Sequence, residues 1–266
     1  MVSFEIAEGY KMGDLVEIMR LLRSPGGCPW DQVQTHQSIR PNMLEEAYEA
    51  AGAIDRLDMG NLKEELGDVL LQVVFHARIA EEAGTFTFED VVDGICKKLI
   101  YRHPHVFGTA NAGDPEGALS AWDAQKRAEK GQKTAADTLD GVARALPALT
   151  RAAKLQSKAA KAGFDWEDIS PALDKLSEEL EEFRGAVREN SNVEEELGDL
   201  LFAAAKAGRF AGVDPEAALQ KACEKFIRRF RRVEELAQGP MDKLDVPALE
   251  KLWRTAKEEE ERQTQA

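Results

Sequence analysis

Apolar residues recur along the chain every three or four positions, the spacing of amphipathic helices, and no run of alternating β-branched residues stands out. Leu15, Ile18, Met19 and Leu22 predict a short helix over Asp14–Leu22. Ser24-Pro25-Gly26-Gly27-Cys28-Pro29-Trp30-Asp31 holds too many Pro and Gly residues for a helix and reads as a loop, with Trp30 a core or lid residue. Two consecutive helices follow from Leu44, and VLLQVVFHARIA from Val69 is apolar on nearly every side, as suits a helix inside a bundle. Thr87-Phe88-Glu89-Asp90 caps a further helix through Lys97 and Lys98, which Arg102-His103-Pro104-His105 ends. A polar loop from Asn111 to Pro115 leads into a helix carrying Trp122 and Lys126, and Gly131-Gln132-Lys133-Thr134 reads as a linker. The pattern then restarts: a helix over Leu146–Ala160, a loop at Gly163-Phe164-Asp165-Trp166, another helix pair, a start at Val213-Asp214-Pro215-Glu216, and a last helix with Trp253 and Lys257. The expected fold is all-α, two tandem helical-bundle repeats spanning 1–130 and 131–266.

Each repeat is built around an acidic helix hairpin. LEEAYEAAGAIDRLDMGNLKEELGD from Leu44 returns as LSEELEEFRGAVRENSNVEEELGD from Leu176. Glu45, Glu46 and Glu49 match Glu178, Glu179 and Glu182, while Glu65 and Asp68 match Glu196 and Asp199. The offset is 133 residues before the turn and 131 after it, and Trp122 to Trp253 is again 131. At about 100° per residue, Glu45, Glu46 and Glu49 lie within an arc of roughly 100° and Glu65 and Asp68 about 60° apart, so each helix presents one acidic face. Asn61-Leu62-Lys63-Glu64 and Asn192-Val193-Glu194-Glu195 both read as capping arrangements that restart a helix just before the second acidic pair. The carboxylates can converge across each hairpin.

Converging carboxylates repel one another and stay ionised only where water, basic groups or metal ions offset that repulsion. An oxygen-only set suits Mg²⁺, with Mn²⁺ as a substitute, and Mg²⁺ commonly binds substrate phosphates beside protein carboxylates. A lone E-x-x-E in so acidic a chain is an ordinary solvated face; its recurrence in both halves favours a site. A di-iron bundle would need Glu-x-x-His, and Glu49, Asp68, Glu182 and Asp199 stand where that His belongs. His76 reads as structural, and His103 and His105, flanking Pro104, read as helix-end residues. In the second half Lys225 and Arg229 lie one helical turn apart, able to reach phosphate oxygens, and Trp253 offers a flat face to a base. Lys175, four residues before Glu179, stands near the same place, although a basic run is also an ordinary solvated face and a Trp an ordinary core residue.

Composition narrows the partners. A formal net charge of −14 and a pI near 4.9 disfavour a nucleic acid polymer or an anionic membrane, but not a nucleotide held through a metal. Cys28, Cys96 and Cys223 include no C-x-x-C and read as reduced thiols of a cytoplasmic protein. The first residues carry no basic-then-apolar leader, and no apolar run approaches about 18 residues.

The stretches GCPWDQVQTHQSIRPNMLEEAYE, the two EELGD repeats, KLIYRHPHVFG and ALPALTRAAKLQSKAAKAGFDW, in this order, resemble the MazG family of all-α nucleoside triphosphate pyrophosphohydrolases over nearly the whole chain. The resemblance implies Mg²⁺-dependent hydrolysis of (deoxy)nucleoside triphosphates to monophosphate and pyrophosphate, limiting non-standard or excess nucleotides, in a homodimer or larger assembly. It carries metal binding onto Glu46, Glu49, Glu65 and Asp68 and onto Glu179, Glu182, Glu196 and Asp199, and substrate contacts onto Lys175, Lys225, Arg229 and Trp253. Water would attack the α-phosphorus, with Glu178, or Glu45 in the first half, accepting its proton. The longer basic helix and Lys175 favour the second half for this reaction, the first serving another substrate, regulation or assembly. Two other readings stand beside it: a non-catalytic helical interaction protein, and a pyrophosphatase narrowed to one nucleotide such as dUTP.

Overall fold

A computed structural model describes Phe4 and residues 6–109, 113–237 and 239–264. Met1–Ser3 and Glu5 at the N-terminus, and Asn111 and Ala112 of the expected polar loop, lie outside the described residues. The helices run in the order α1 (Met12–Arg23), α2 (Pro29–Val33), α3 (Arg40–Asp55), α4 (Met59–Glu82), α5 (Phe88–Arg102), α6 (Pro104–Phe107) and α7 (Pro115–Glu129). There follow α8 (Ala135–Asp140), α9 (Ala148–Lys161), α10 (Ser170–Glu189), α11 (Val193–Phe210), α12 (Pro215–Ala237), a 3-10 turn at Met241–Lys243, and α13 (Val246–Thr264). The chain is all-α, with no strand among the described residues, and no described helix is long and apolar enough to cross a membrane.

Two compact units, Met1–Lys126 and Arg127–Ala266, divide the chain within α7. In the first, α3 and α4 pair along their length, and α1 and α5 pack on α4. Met19, Ile39, Val74 and Phe75 are buried together at its centre, flanked by Leu15, Val16, Leu71, Ile79 and Phe88. In the second, α10 and α11 form the equivalent pair, α9 covers α11, α12 contacts α9 and α11, and α13 lies on α12. Here the buried apolar residues are small, Ala152, Ala172, Ala186, Ala203, Ala205, Ala207 and Ala256 with Val142 and Val233, and Gln156 and Glu179 are buried beside them.

The repeat offsets link these two cores. Met19, Ile39, Val74 and Phe75 correspond to Ala152, Ala172, Ala205 and Lys206, so the side chains that fill the first unit are cut back to methyl groups or replaced by an ammonium in the second. Close packing without large side chains cannot fill the same volume.

Both hairpin turns differ from the sequence expectation. The first restart is capped by Asp58, whose carboxylate accepts the Asn61 N–H at 3.0 Å, so α4 begins two residues before Asn61, which supplies the donor instead of the cap. A charged acceptor at this position also meets the positive end of the helix. In the second turn Asn192 does stand at the N-cap, but at φ 51° its side chain makes no capping bond; Asn190 is likewise left-handed at φ 52°. Side-chain capping needs extended backbone at that residue, which the left-handed turn removes. Two further stretches are more ordered than loop chemistry implied. Pro29 opens α2 inside the Pro/Gly-rich segment, and Thr134, at the end of the polar Gly131–Thr134 stretch, caps α8 by accepting the Asp137 N–H. Thr87 caps α5 as expected, and His103 ends it, its Nδ1 donating to the Leu99 carbonyl at 2.6 Å.

Met19 is 1% exposed at the centre of the first core, so Met19→Ala leaves a cavity and is expected to cost about 2–5 kcal/mol in urea unfolding of the chain.

Candidate active site

The acidic faces do converge. Carboxylate oxygens of Glu46, Glu49 and Glu65 lie within 4.8 Å of one another across α3 and α4, and those of Glu179, Glu196 and Asp199 do so across α10 and α11. The remaining member of each set stands beside its cluster. Asp68 is close enough to raise the pKa of Glu46 and Glu65 through space, and Glu179 is close enough to raise that of Glu182. Burial, and then repulsion from Asp68, Glu49, Glu65 and Glu45, pushes the Glu46 carboxyl above its ordinary range. Burial and Glu49 do the same to Glu65, and burial and Glu179 to Glu182. Raised proton affinity of this kind marks crowded negative charge, and an oxygen-only donor set fits a hard divalent cation.

Glu179 is 6% exposed and is the buried member of the second cluster. Lys175 reaches it across one helical turn, with Nζ 2.7 Å from Glu179 and 2.7 Å from Glu178. Those two contacts push the Lys175 pKa well above the ordinary lysine range. Glu45, like its counterpart Glu178, is exposed, and the first-unit counterpart of Lys175 is Asn42, which carries no charge.

Behind the second cluster lies a cavity of about 660 Å³ between α9, α10 and α11, with Ala172 in its wall. That is within the roughly 300–1,000 Å³ common for small-molecule sites. Its walls include Leu155, Ala159, Phe164, Ala172, Phe202 and Ala203, and Lys175, Glu179 and Asp199 border it. The segment Gly163–Trp166 forms part of the lining, and Gly163 at φ 86° takes a left-handed turn that glycine accepts without strain. Asp165 pins this segment to α11, receiving Lys206 at 2.6 Å and Arg209 at 2.5 Å. Burial alone would raise the Asp165 pKa, but the two cations outweigh it and hold the carboxyl below its ordinary value. Lys206 in turn lies 5.1 Å from the Trp166 ring centre.

Lys225, Arg229 and Trp253 stand elsewhere in the second unit, on α12 and α13, and do not line this cavity. Arg229 is tied to Glu260 at 2.6 Å, Lys225 is exposed, and Trp253 packs on Phe226 at 5.2 Å beside a second, apolar groove that also includes Phe230 and Leu249. Trp122 has Lys126 over its ring at 4.7 Å, whereas Lys257, the matching lysine of the second half, pairs with Glu261. Trp30, read as core or lid, is 57% exposed and meets Phe75 edge-on; the His76 ring lies against that of His36, with the two Nδ1 atoms 2.8 Å apart.

Gln156, Asp165 and Lys206 were not singled out by the sequence motifs. Lys206 had a signal: it lies seven residues after Asp199, two turns along the same face of α11. Gln156 had none, since a single Gln on an alanine-rich helix carries no pattern.

The profile of the MazG nucleotide pyrophosphohydrolase domain matches this sequence twice, over residues 34–107 and 169–234, one match in each unit. The chain belongs to the MazG family. It is 45% identical over 252 residues to the nucleoside triphosphate pyrophosphohydrolase/pyrophosphatase MazG of Thermotoga maritima, covering 94% of this chain and 96% of that one. The Escherichia coli K12 nucleoside triphosphate pyrophosphohydrolase is 46% identical over 254 residues, 92% of this chain and 97% of its own. YabN of Bacillus subtilis is 47% identical over 92% of this chain, which spans 51% of that protein. As a MazG protein the chain is a nucleotide pyrophosphohydrolase, an enzyme and not a purely structural helical module.

Asp165→Asn removes the anchor of the 163–166 segment and is expected to speed its amide hydrogen exchange relative to the native chain. Because the folded-state pKa is depressed, this stabilisation is complete above the ordinary aspartate value of 3.8 and fades as pH falls through the lowered one. The difference between the two proteins should therefore persist down to that range and close below it.

Proposed function

We propose that the chain hydrolyses (deoxy)nucleoside triphosphates to the monophosphate and pyrophosphate, with the second unit as the principal site. The observation that carries this reading is the meeting of a three-carboxylate cluster and an apolar cavity at one place, bordered by Lys175, Glu179 and Asp199. The acidic end suits the cation-bound phosphates of a nucleotide, and the cavity suits its apolar, flat remainder.

Glu179, Glu182, Glu196 and Asp199 would hold Mg²⁺, or Mn²⁺ in its place, and Glu46, Glu49, Glu65 and Asp68 would do so in the first unit. A divalent cation held there supplies Lewis acidity and neutralises charge on phosphate oxygens. Lys175 offers an ammonium at the same edge of the cavity, and its 2.7 Å contacts keep Glu178 and Glu179 extended toward it. Water attacks the α-phosphorus, its proton passes to the Glu178 carboxylate, and the bond from the α-phosphorus to the pyrophosphate oxygen breaks. Glu45 is the matching acceptor in the first unit.

Lys225, Arg229 and Trp253 are the proposed outer contacts to the substrate. The hairpin helices leave Val187, Leu197 and Leu201, and α12 leaves Phe226, exposed in the single chain, and such faces fit association of two copies as a homodimer. Net negative charge and free cysteines fit a cytoplasmic enzyme that works on the free nucleotide pool, limiting non-standard or excess triphosphates.

Asp199→Asn and Glu179→Gln are each expected to lower turnover by about a hundredfold or more while leaving the helical circular dichroism unchanged. Chromatography of the products of the native chain should give monophosphate and pyrophosphate only when Mg²⁺ is present. Diphosphate and free phosphate, or unchanged turnover in both variants, would overturn the proposal.

A further inference from the structure

His36 and His76 meet inside the first unit with room for one proton between them. Both residues are half-buried, their Nδ1 atoms are 2.8 Å apart, and their ring planes differ by 3° with the centres 5.1 Å apart. Nitrogens so close, with centres so far apart, set the rings edge to edge in one plane, each Nδ1 aimed at the other. Such a hydrogen bond needs one donor and one acceptor, so one Nδ1 carries a proton and the other offers its lone pair. A first added proton goes to the outer nitrogen of the donor ring and leaves the bond in place. A second has only the accepting Nδ1 to go to, and two N–H groups cannot point at each other over this distance. His76 Nε2 is buried with no hydrogen-bond partner, which disfavours charge on that ring, so the first added proton falls to His36 and the second to His76.

We infer that this pair is a proton-operated clasp on the segment leading into α3, closed while the two rings share a proton and opened when both are charged. His36 belongs to residues 34–39, between α2 and α3. The segment has a fastening at each end: the Gln34 carbonyl accepts from Arg23 Nη1 at 3.2 Å, and Ile39 is buried with Met19, Val74 and Phe75. His36 is the polar fastening between them. The next residue, Arg40, opens α3, the helix that carries Glu46 and Glu49, so opening the clasp loosens the entry to one side of the first acidic cluster. The second unit has Ile169 and Ala207 at the matching positions and no such pair.

The charged groups of the surrounding helices are engaged elsewhere. Glu17 and Arg20 of α1 pair with each other, Arg23 of α1 pairs with Glu82, and Arg78 of α4 pairs with Glu81 and Glu82. Asp90 of α5 is taken up by the cap at Thr87. Among the described residues His36 is the ionisable group that acts on the His76 ring through space, and Asp31 of α2, Arg40 of α3 and Glu89 of α5 do not. Burial, and then His36, hold His76 below the ordinary histidine value of 6.5. A depressed folded-state value means that the clasp is complete above 6.5 and is lost as pH falls through the lowered one.

The test is amide hydrogen exchange of the full chain, followed by mass spectrometry in steps from about pH 8 to about pH 5 and corrected for the intrinsic exchange rate. Protection of residues 34–39 is expected to fall below pH 6.5, by up to about tenfold per pH unit, while the matching residues 167–172 of the second unit stay level. In His36→Gln the fall should disappear, because an uncharged amide can donate to neutral His76 or, turned over, accept from charged His76. His36→Leu makes no bond to His76 in either state, so its segment should be equally unprotected throughout. Each comparison is made within one protein across pH, so a general loss of stability in a variant cancels. Level protection of 34–39 in the native chain, a fall of equal size in both variants, or an equal fall at 167–172 would overturn the clasp.

Discussion

Repulsion among carboxylates held within 4.8 Å of one another is the constraint that the rest of this molecule must satisfy. Left to themselves, side chains as long as glutamate would swing apart into water, since close like charges in a shared site disfavour ionisation and each other. They stay together because their backbones are fixed by paired helices, α3 with α4 and α10 with α11. The packing of the other face of those helices holds the acidic face in place. In the first unit that packing comes from Met19, Ile39, Val74 and Phe75; in the second it comes largely from buried alanines. Helix stability here is tertiary in origin, drawn from the buried face, and the exposed face is free to carry charge that opposes folding.

The contrast between the cores explains how one sequence repeat gives two different environments. At matched positions the first unit places large apolar side chains and the second places Ala152, Ala172, Ala205 and Lys206. Removing methylene groups from a core normally weakens it, by a cost that grows with the volume left open. Where the opened space is bordered by Glu179 and Asp199, that cost is associated with a place for a ligand. The Asp165 anchor to Lys206 and Arg209 then does for the cavity wall what Phe75 and Trp30 do by contact in the first unit, through charge in place of apolar packing.

Much of the fold was readable from residue order. Helical periodicity located the main helices, and the duplication of E-E-x-x-E and E-x-x-D located the acidic hairpins, because both signals depend on spacing along the chain. The turns were less legible. Asp58 and Asn61 are both competent caps, and the choice between them depends on which residue adopts extended backbone, a property of the assembled hairpin. The cavity was not legible at all. Its walls are ordinary alanines and leucines, and Gln156 becomes distinctive only when its burial and its orphaned oxygen are seen together. Sequence also placed Lys175 and Lys225 in one list of basic residues, whereas one lies inside the carboxylate cluster and the other on an exposed face of α12.

The grip of Lys175 on Glu178 and Glu179 means that the second site contains its own counter-ion. A cation bound as proposed would not meet bare carboxylates; it would compete with a tethered ammonium for Glu179. Once displaced, that ammonium is left beside the cavity without its partner, and an anionic ligand restores one. A cation held there, as proposed above, and an anionic ligand would each favour the other, by equal factors in either order, as thermodynamic linkage requires. The first unit has the uncharged Asn42 at the corresponding position, and its carboxylates would meet a cation without that exchange.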